Sequence, residues 1–509
     1  MFTTRVAGVQ NKRALSAPLP QSAAPYTSSE LFKTPTSKPL ARSWARRLSM
    51  RATRTEASVL KGAASNKSDN IITLGTGRPS PEFYPWTSLS TVGVGDMHEE
   101  MQQMREMSST FSADPSFKLS VALNYGYAAG SPQLLRFITE HVEMIHDPPY
   151  RDWESALTCG STSALDIIFQ TLCNAGDKIL TEKYTYTGTI QAAKSQGLGC
   201  VGIELDEQGL LPHDLDAQLR GWDETKGKKP FVLYMIPTGQ NPTGTTQSRK
   251  RREAIYNLAE EHDLLIVEDD PYYFLQLGDS SGGNPEGNEE NQDTIEQYVK
   301  NLQASYLSLD VSGRVIRLDS FSKIIAPGLR CGWITASSQI IANILALTEV
   351  STVAPSGVAQ VMLYKLLDEA WGHLGFMRWL FDLSSRYRQR RDLLIEACQE
   401  HLTDIKCSWT IPMHGMFLWI KVGPLLQPNK LSDYTKQEGD LANRSLEERV
   451  FAESQGSGVL VSKGSWFLAP NSNLDGICMR LTFAAAAHED LAEAVRRFGN
   501  ALRAILECS

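Results

Sequence analysis

Between about residues 120 and 340, short apolar runs alternate with stretches whose apolar positions recur every three or four residues. That alternation predicts βαβ units around a mostly parallel sheet flanked by helices. Three runs, at 231–236, 264–267 and 314–318, are rich in Val, Ile and Leu and end on polar or turn residues, the pattern of strands buried on both faces. Beyond about 370, long amphipathic helical patterns carrying Arg386, Arg388, Arg390 and Arg391 precede alternating segments at 416–421 and 477–483. These predict a second, smaller α+β domain. Ahead of the sheet, a basic helical stretch over 40–64 leads into the apolar run 71–75, stopped by a Gly/Pro-rich turn through Pro85. Residues 278–296 are acidic and of low complexity, and read as a flexible, solvated loop insertion. The expected division is a disordered basic tail (1–38), an arm with part of the small domain (39–95), a large α/β domain (96–368) and a small C-terminal domain (369–509).

Composition narrows the class. With 509 residues, 42% of them hydrophobic, the chain can bury a large core. A net charge of −8 gives no general attraction to nucleic acid or an anionic membrane, and no apolar run approaches the ~18 residues that a membrane span needs. Small-molecule chemistry is the default. The eight cysteines lack CxxC pairs or metal-ligand spacing, so no metal site is expected and reduced thiols in the cytoplasm are favoured. The first 54 residues carry ten Lys/Arg and one acid, Glu30, as a mitochondrial transit peptide would. Prolines from Pro18 to Pro35 interrupt an amphipathic helix there, and a disordered tail is the preferred reading.

The residues just past each predicted strand carry chemistry. Ligands of such sheets bind beyond the carboxyl ends of the strands, where Pro-Thr-Gly-Gln-Asn241-Pro, Glu-Asp-Asp270-Pro-Tyr-Tyr and Asp-Ser-Phe-Ser-Lys323 occur. A lysine buried at a strand end needs a reason, since an unpaired interior ammonium is costly, and imine formation with an aldehyde cofactor supplies one. Flanking hydroxyls and Arg330, seven residues on, suit a phosphate. The same segment alone also fits a surface lysine beside an unrelated arginine. Asp270 could pair with a pyridinium nitrogen or cap a helix. Asn241 and Tyr273 could bind a phenolate oxygen, or be turn and core residues. Gly160-Ser161-Thr162 reads as a loop opening a helix whose free N–H groups can hold a phosphate, and equally as a plain cap.

Taken together, SFSKIIAPGLRCGW, YMIPTGQNPTGTT, VEDDPYYFLQL, TCGSTSALD, LNYGYAAGSPQLLRF, GMFLWIKV and MRLTFA resemble the fold-type I aminotransferases over roughly residues 40 to 505. The segments SYLSLDVSGRVIRLDSFSK and GVLVSKGSWF are especially similar to the fungal aromatic amino-acid enzymes and their kynurenine/α-aminoadipate relatives. The resemblance implies the fold-type I architecture, with pyridoxal 5′-phosphate (PLP) in the large domain, and a homodimer. It implies that Lys323 holds the cofactor as a Schiff base and shuttles the proton between substrate Cα and cofactor C4′. Asp270 would hold the pyridine nitrogen, Asn241 and Tyr273 would bind O3′, and Tyr186 would stack on the ring. Ser161, Thr162, Ser320 and Arg330 would bind the phosphate, with Tyr125 reaching it from the neighbouring subunit. Arg480 would grip the substrate α-carboxylate. Thr162 stands where some relatives have glutamine and keeps a hydrogen-bonding group there. Residues 54–61 lack the proline that relatives carry before the N-terminal substrate contact, which leaves side-chain specificity open.

The implied activity is two-step transamination from an L-amino acid, aromatic by first choice, to a 2-oxo acid such as 2-oxoglutarate. A 2-aminoadipate or lysine-pathway donor, a specialised-metabolite precursor, or a PLP-dependent lyase or decarboxylase are the alternatives. A transcription regulator on this fold would need a DNA-binding domain ahead of the core, where Pro and Ser stand in place of three apolar-periodic helices.

Overall fold

The computed structural model describes residues 1–19, 28–56, 79–94, 104–111, 116–278, 292–423 and 436–507. In chain order its strands are β1 (Ser88–Val94), β2 (Met104–Phe111), β3 (Trp153–Thr158), β4 (Lys178–Glu182), β5 (Gly199–Ile203), β6 (Leu205–Asp206), β7 (Gly209–Leu210), β8 (Val232–Met235), β9 (Leu265–Asp269), β10 (Val315–Ser320), β11 (Gly332–Ser337), β12 (Cys407–Ser408), β13 (Phe417–Val422), β14 (Ser462–Lys463) and β15 (Ile477–Thr482). The chain forms two compact units. One comprises Met1–Ala175, Leu265–Pro271 and Glu289–Leu380, the other Gly176–Leu264, Tyr272–Asn288 and Phe381–Ser509.

In the first unit the strands run in the order β3, β11, β10, β9, with β9 and β10 parallel and β11 antiparallel to both its neighbours. Every residue of β9, β10 and β11 is buried, as strands covered on both faces require. In the second unit β8, β4 and β5 are parallel, and a separate antiparallel sheet, β12, β13, β15, β14, belongs to the C-terminal segment. The expected strands at 231–236, 264–267, 314–318, 416–421 and 477–483 are β8, β9, β10, β13 and β15, displaced by at most two residues at any end. Among the described residues no helix is long and apolar enough to cross a membrane.

Three expectations need correction. Residues 1–38 do not form a wholly disordered tail, because Phe2–Leu15 is a helix, α1. The first proline is Pro18, so nothing breaks a helix before it. Docking, more than amphipathicity, holds α1 in place. Phe2 and Val9 are buried, the Phe2 and Thr3 N–H groups donate to the Glu296 carboxylate at 2.7 and 2.8 Å, and Arg13 Nε donates to Glu140 at 3.0 Å. A carboxylate at the helix start also complements the macrodipole. The stretch 40–64 is not one helix. The described part contains only a short turn, Ala45–Arg47, and the helix Met50–Arg54, because Trp44 leaves the helical path to sit fully buried between the guanidiniums of Arg42 and Arg314. Finally, the helix Gln292–Lys300 takes the last residues assigned to the 278–296 loop. The apolar run 71–75 and most of that loop lie outside the described residues.

Candidate active site

Each unit assembles part of the predicted set. In the first, β10 alternates its side chains so that Arg317 and Asp319, two residues apart, share a face. Their side chains form a two-pronged ion pair, Nε to Oδ2 at 2.9 Å and Nη2 to Oδ1 at 2.8 Å. The parallel register sets Arg317 beside Glu268 of β9, and the Asp270 N–H donates to the Leu318 carbonyl at 3.1 Å. Arg317 Nη1 thus lies 3.0 Å from Glu268 and 3.4 Å from Asp270 Oδ2, all three side chains being fully buried. Burial pulls the Arg317 pKa down, but Asp319, Glu268 and Asp270 together hold it well above its ordinary value. Burial first, then nearby cations, keep His141 neutral, with a pKa of about 3, and lower His146 as well. Asp270 is therefore an interior carboxylate anchored by a permanent cation.

The same unit builds an anion cup. Gly160 precedes the helix Ser161–Leu172 with φ +86°, and a Cβ there would lie 2.4 Å from Arg330 Nη2. Only glycine admits both that backbone and that contact. Arg330 itself is left-handed (φ +47°), a strained conformation typical of functional positions. Its guanidinium donates to the Cys159 carbonyl and Ser322 Oγ at 3.4 Å each. Ser161 Oγ is buried without a hydrogen-bond partner among the described residues. A helix N-terminus, an unsatisfied hydroxyl and an arginine converging at a glycine fit a phosphate. Ser320 ends β10 and its Oγ accepts from the Ser322 N–H at 3.1 Å. Lys323 lies three residues past β10 and is half-buried, so the sequence argument from a fully buried ammonium does not apply. Thr162 and Tyr125 are exposed, Tyr125 at 60%.

The second unit holds the rest. Arg480 projects from β15, with Nη1 donating to Asn241 Oδ1 at 2.7 Å and Nη2 to Ser462 Oγ at 3.1 Å. Its guanidinium stacks on Phe417 and Phe467, 4.5 and 4.6 Å from the ring centroids. No carboxylate of the described residues pairs with it, its Nε is buried without a partner, and burial pulls its pKa down. Asn241 sits in a loop fixed by Gln240, whose side chain donates to Glu182 and the Tyr184 carbonyl and accepts from Thr243. Tyr186 precedes the helix Thr187–Ser195, its ring folded so closely over Gly188 that a Cβ there would meet Cε1 at 2.4 Å. Tyr273 is buried edge-on to Phe274. Sequence reasoning missed Arg317, Gln240, Phe417, Phe467 and Ser462. All five lay in segments already singled out, but nothing in the local pattern marked them among their neighbours.

The family described as aminotransferase class I and II matches residues 93–498, and the chain belongs to it. It is an aminotransferase. A protein named aminotransferase swnA from Arthroderma benhamiae is 47% identical over 93% of this chain and 93% of the relative. An aromatic amino acid aminotransferase of Schizosaccharomyces pombe is 38% identical over 91% of this chain and 98% of the relative. The crystal structure of aminotransferase Aro8 from Candida albicans superposes with a TM-score of 0.83 at 33% identity, covering 92% of this chain and all of that one. The fold-type I architecture expected from the sequence is therefore present.

Proposed function

We propose that this chain carries the amino group of an aromatic L-amino acid to 2-oxoglutarate in two half-reactions, with PLP as carrier. The observation that carries the reading is Arg480: a half-buried guanidinium, held on two aromatic rings and two hydrogen bonds, with no carboxylate partner among the described residues. A desolvated cation of that kind awaits an anion, and a substrate α-carboxylate is a planar match for the guanidinium fork.

When bound, PLP supplies an electron-withdrawing ring that takes up the amino group and stabilises the negative charge left on the donor's Cα. Lys323 would hold the cofactor through its Nζ, and its amine would be the group that takes the proton from the donor's Cα. Asp270, fixed by Arg317, keeps the pyridine nitrogen protonated. Asn241 and Tyr273 would hold the phenolate oxygen O3′, and Tyr186 would pack on the ring. Ser161, Thr162, Ser320 and Arg330 take the phosphate, and Tyr125 crosses to the phosphate held by a second copy in a homodimer. The cytoplasm is the proposed compartment, in keeping with cysteines that are free wherever described.

Aromatic specificity is supported by the Schizosaccharomyces pombe relative's name. A second reading, a donor from the 2-aminoadipate group or specialised metabolism, is favoured by the higher identity to swnA, whose name specifies no aromatic substrate. A donor screen with 2-oxoglutarate, read by mass spectrometry, separates them. Phenylalanine, tyrosine or tryptophan should outpace aspartate and alanine, and turnover of 2-aminoadipate with none of the aromatic donors would overturn the aromatic assignment.

A further inference from the structure

We infer that Cys159 and Cys331 form a reversible disulfide across the base of the anion cup, a modification site that couples the protein's thiol state to cofactor retention. The effect on the cofactor rests on the phosphate role proposed above for Ser161 and Arg330; the disulfide itself does not.

Strand register brings the two cysteines together. β3 and β11 are antiparallel with Gly332 opposite Thr158 and Thr335 opposite Ser155, so the next pair outward sets Cys331 opposite Cys159. Opposed residues alternate between hydrogen-bonded and non-hydrogen-bonded pairs, the latter with Cα atoms only ~4.5 Å apart. The Ser155 and Leu157 N–H groups point away from β11, to Ser29 Oγ and the Ala129 carbonyl at 2.8 and 2.9 Å. The Cys331 carbonyl likewise turns the other way, accepting from Phe321 N–H at 3.2 Å. The pairs 155/335, 157/333 and 159/331 are therefore all of the close, non-hydrogen-bonded kind, on one face. Side chains of such a pair do touch here, Ser155 Oγ and Thr335 Oγ1 being 2.8 Å apart. A Cα separation of ~4.5 Å lies within the ~4.4–6.8 Å that a disulfide spans. Both thiols are free in the structure, Cys159 half-buried and Cys331 buried. Burial, then the neighbouring Cys159, push the Cys331 thiol up to about 12.

The position matters because the two cysteines bracket the cup. Cys159 precedes Gly160 and Ser161 and its carbonyl accepts from Arg330, while Cys331 comes directly after Arg330. Gly160 packs so tightly on the Arg330 guanidinium that there is no room for a Cβ, so drawing the sulfurs together shifts the two halves of the cup relative to one another. The oxidant is a low-molecular-weight disulfide such as oxidised glutathione. The Cys159 thiolate attacks one of its sulfurs, forming a mixed disulfide and releasing one thiolate. The Cys331 thiolate then attacks the Cys159 sulfur and expels the second. Two electrons and no atoms pass to the oxidant, and both cysteine protons go to solvent.

The test incubates holoenzyme and cofactor-stripped full chain with oxidised glutathione at mildly alkaline pH, followed by non-reducing peptide mapping. The expected product is a peptide pair joined through Cys159 and Cys331, with fragmentation excluding Cys173, absent from Cys159→Ser and from Cys331→Ser. PLP affinity by equilibrium dialysis should fall at least tenfold and recover with dithiothreitol. A chain that stops at glutathionylated Cys159, or shows no Cys159–Cys331 link, overturns the pair. A link that leaves PLP affinity unchanged overturns its regulatory role. If unoxidised Ser161→Ala and Arg330→Ala also bind PLP normally, the error lies in the phosphate reading instead.

Discussion

Replacing Arg480 with lysine keeps a positive charge and removes the fork. In the native chain one guanidinium edge is committed to Asn241 and Ser462, at 2.7 and 3.1 Å, and the group lies over the rings of Phe417 and Phe467. On the proposed role, the Nε–H, buried without a partner, and the remaining Nη protons would take the substrate carboxylate. Charge-assisted hydrogen bonds contribute about 1.5–3 kcal/mol each, and a lysine at this site can replace about one of two. The expected loss of about 1.5–3 kcal/mol corresponds to roughly 10–150-fold in kcat/KM. Steady-state kinetics with an aromatic donor should show it mainly as a raised KM. Inhibition by 3-phenylpropionate should weaken by a similar factor, while inhibition by 3-phenylpropanamide, which has no carboxylate, should stay within about twofold. Equal weakening of both inhibitors would show that the substitution merely deforms the site, and a kcat/KM loss under about threefold would remove Arg480 from carboxylate binding altogether.

The same geometry supports three further predictions. Asp270→Asn should lower kcat by roughly three or more powers of ten, since several kcal/mol of carbanion stabilisation depend on the ring nitrogen's proton; a loss under tenfold in single-turnover kinetics would make Asp270 structural. His141 and His414 are buried neutral, each with its pKa lowered to about 3 chiefly by burial. Because the unfolded chain binds more protons than the folded one below the ordinary histidine value of ~6.5, stability should be full above that pH and fall by about 1.4 kcal/mol per pH unit per histidine on acidification. Melting between pH 6.5 and 5 should show a shallower slope in His141→Phe, and an unchanged slope would refute the assignment. Tyr125→Ala mixed with Lys323→Ala should recover activity above either parent. In the heterodimer both lesions fall on one site and leave the other intact; no recovery under verified subunit exchange would mean that Tyr125 does not act across subunits.

Asp270, Asn241 and Lys323 stood out as candidates in the sequence because each lies just past a buried strand, where polar residues are unexpected unless they serve something. The strands themselves were legible because burial on both faces leaves unbroken apolar runs, as β8, β9 and β10 show. α1 was hidden for the opposite reason: its stability comes from Glu296, Glu140 and Asp368, residues more than a hundred positions away. Arg317 and Arg480 illustrate the deeper limit. Both are arginines inside strands, and local pattern reads either as a strand-edge cation. Arg317 meets three carboxylates, one from two residues along β10 and two contributed by the register of β9, and so is an internal counter-ion. Arg480 meets amide, hydroxyl and aromatic groups and no acid among the described residues, and the proposed carboxylate role rests on that difference. The difference lies wholly in the neighbours that tertiary pairing supplies. Resemblance could therefore suggest the role of Arg480, while only the set of its neighbours gives that role a physical reason.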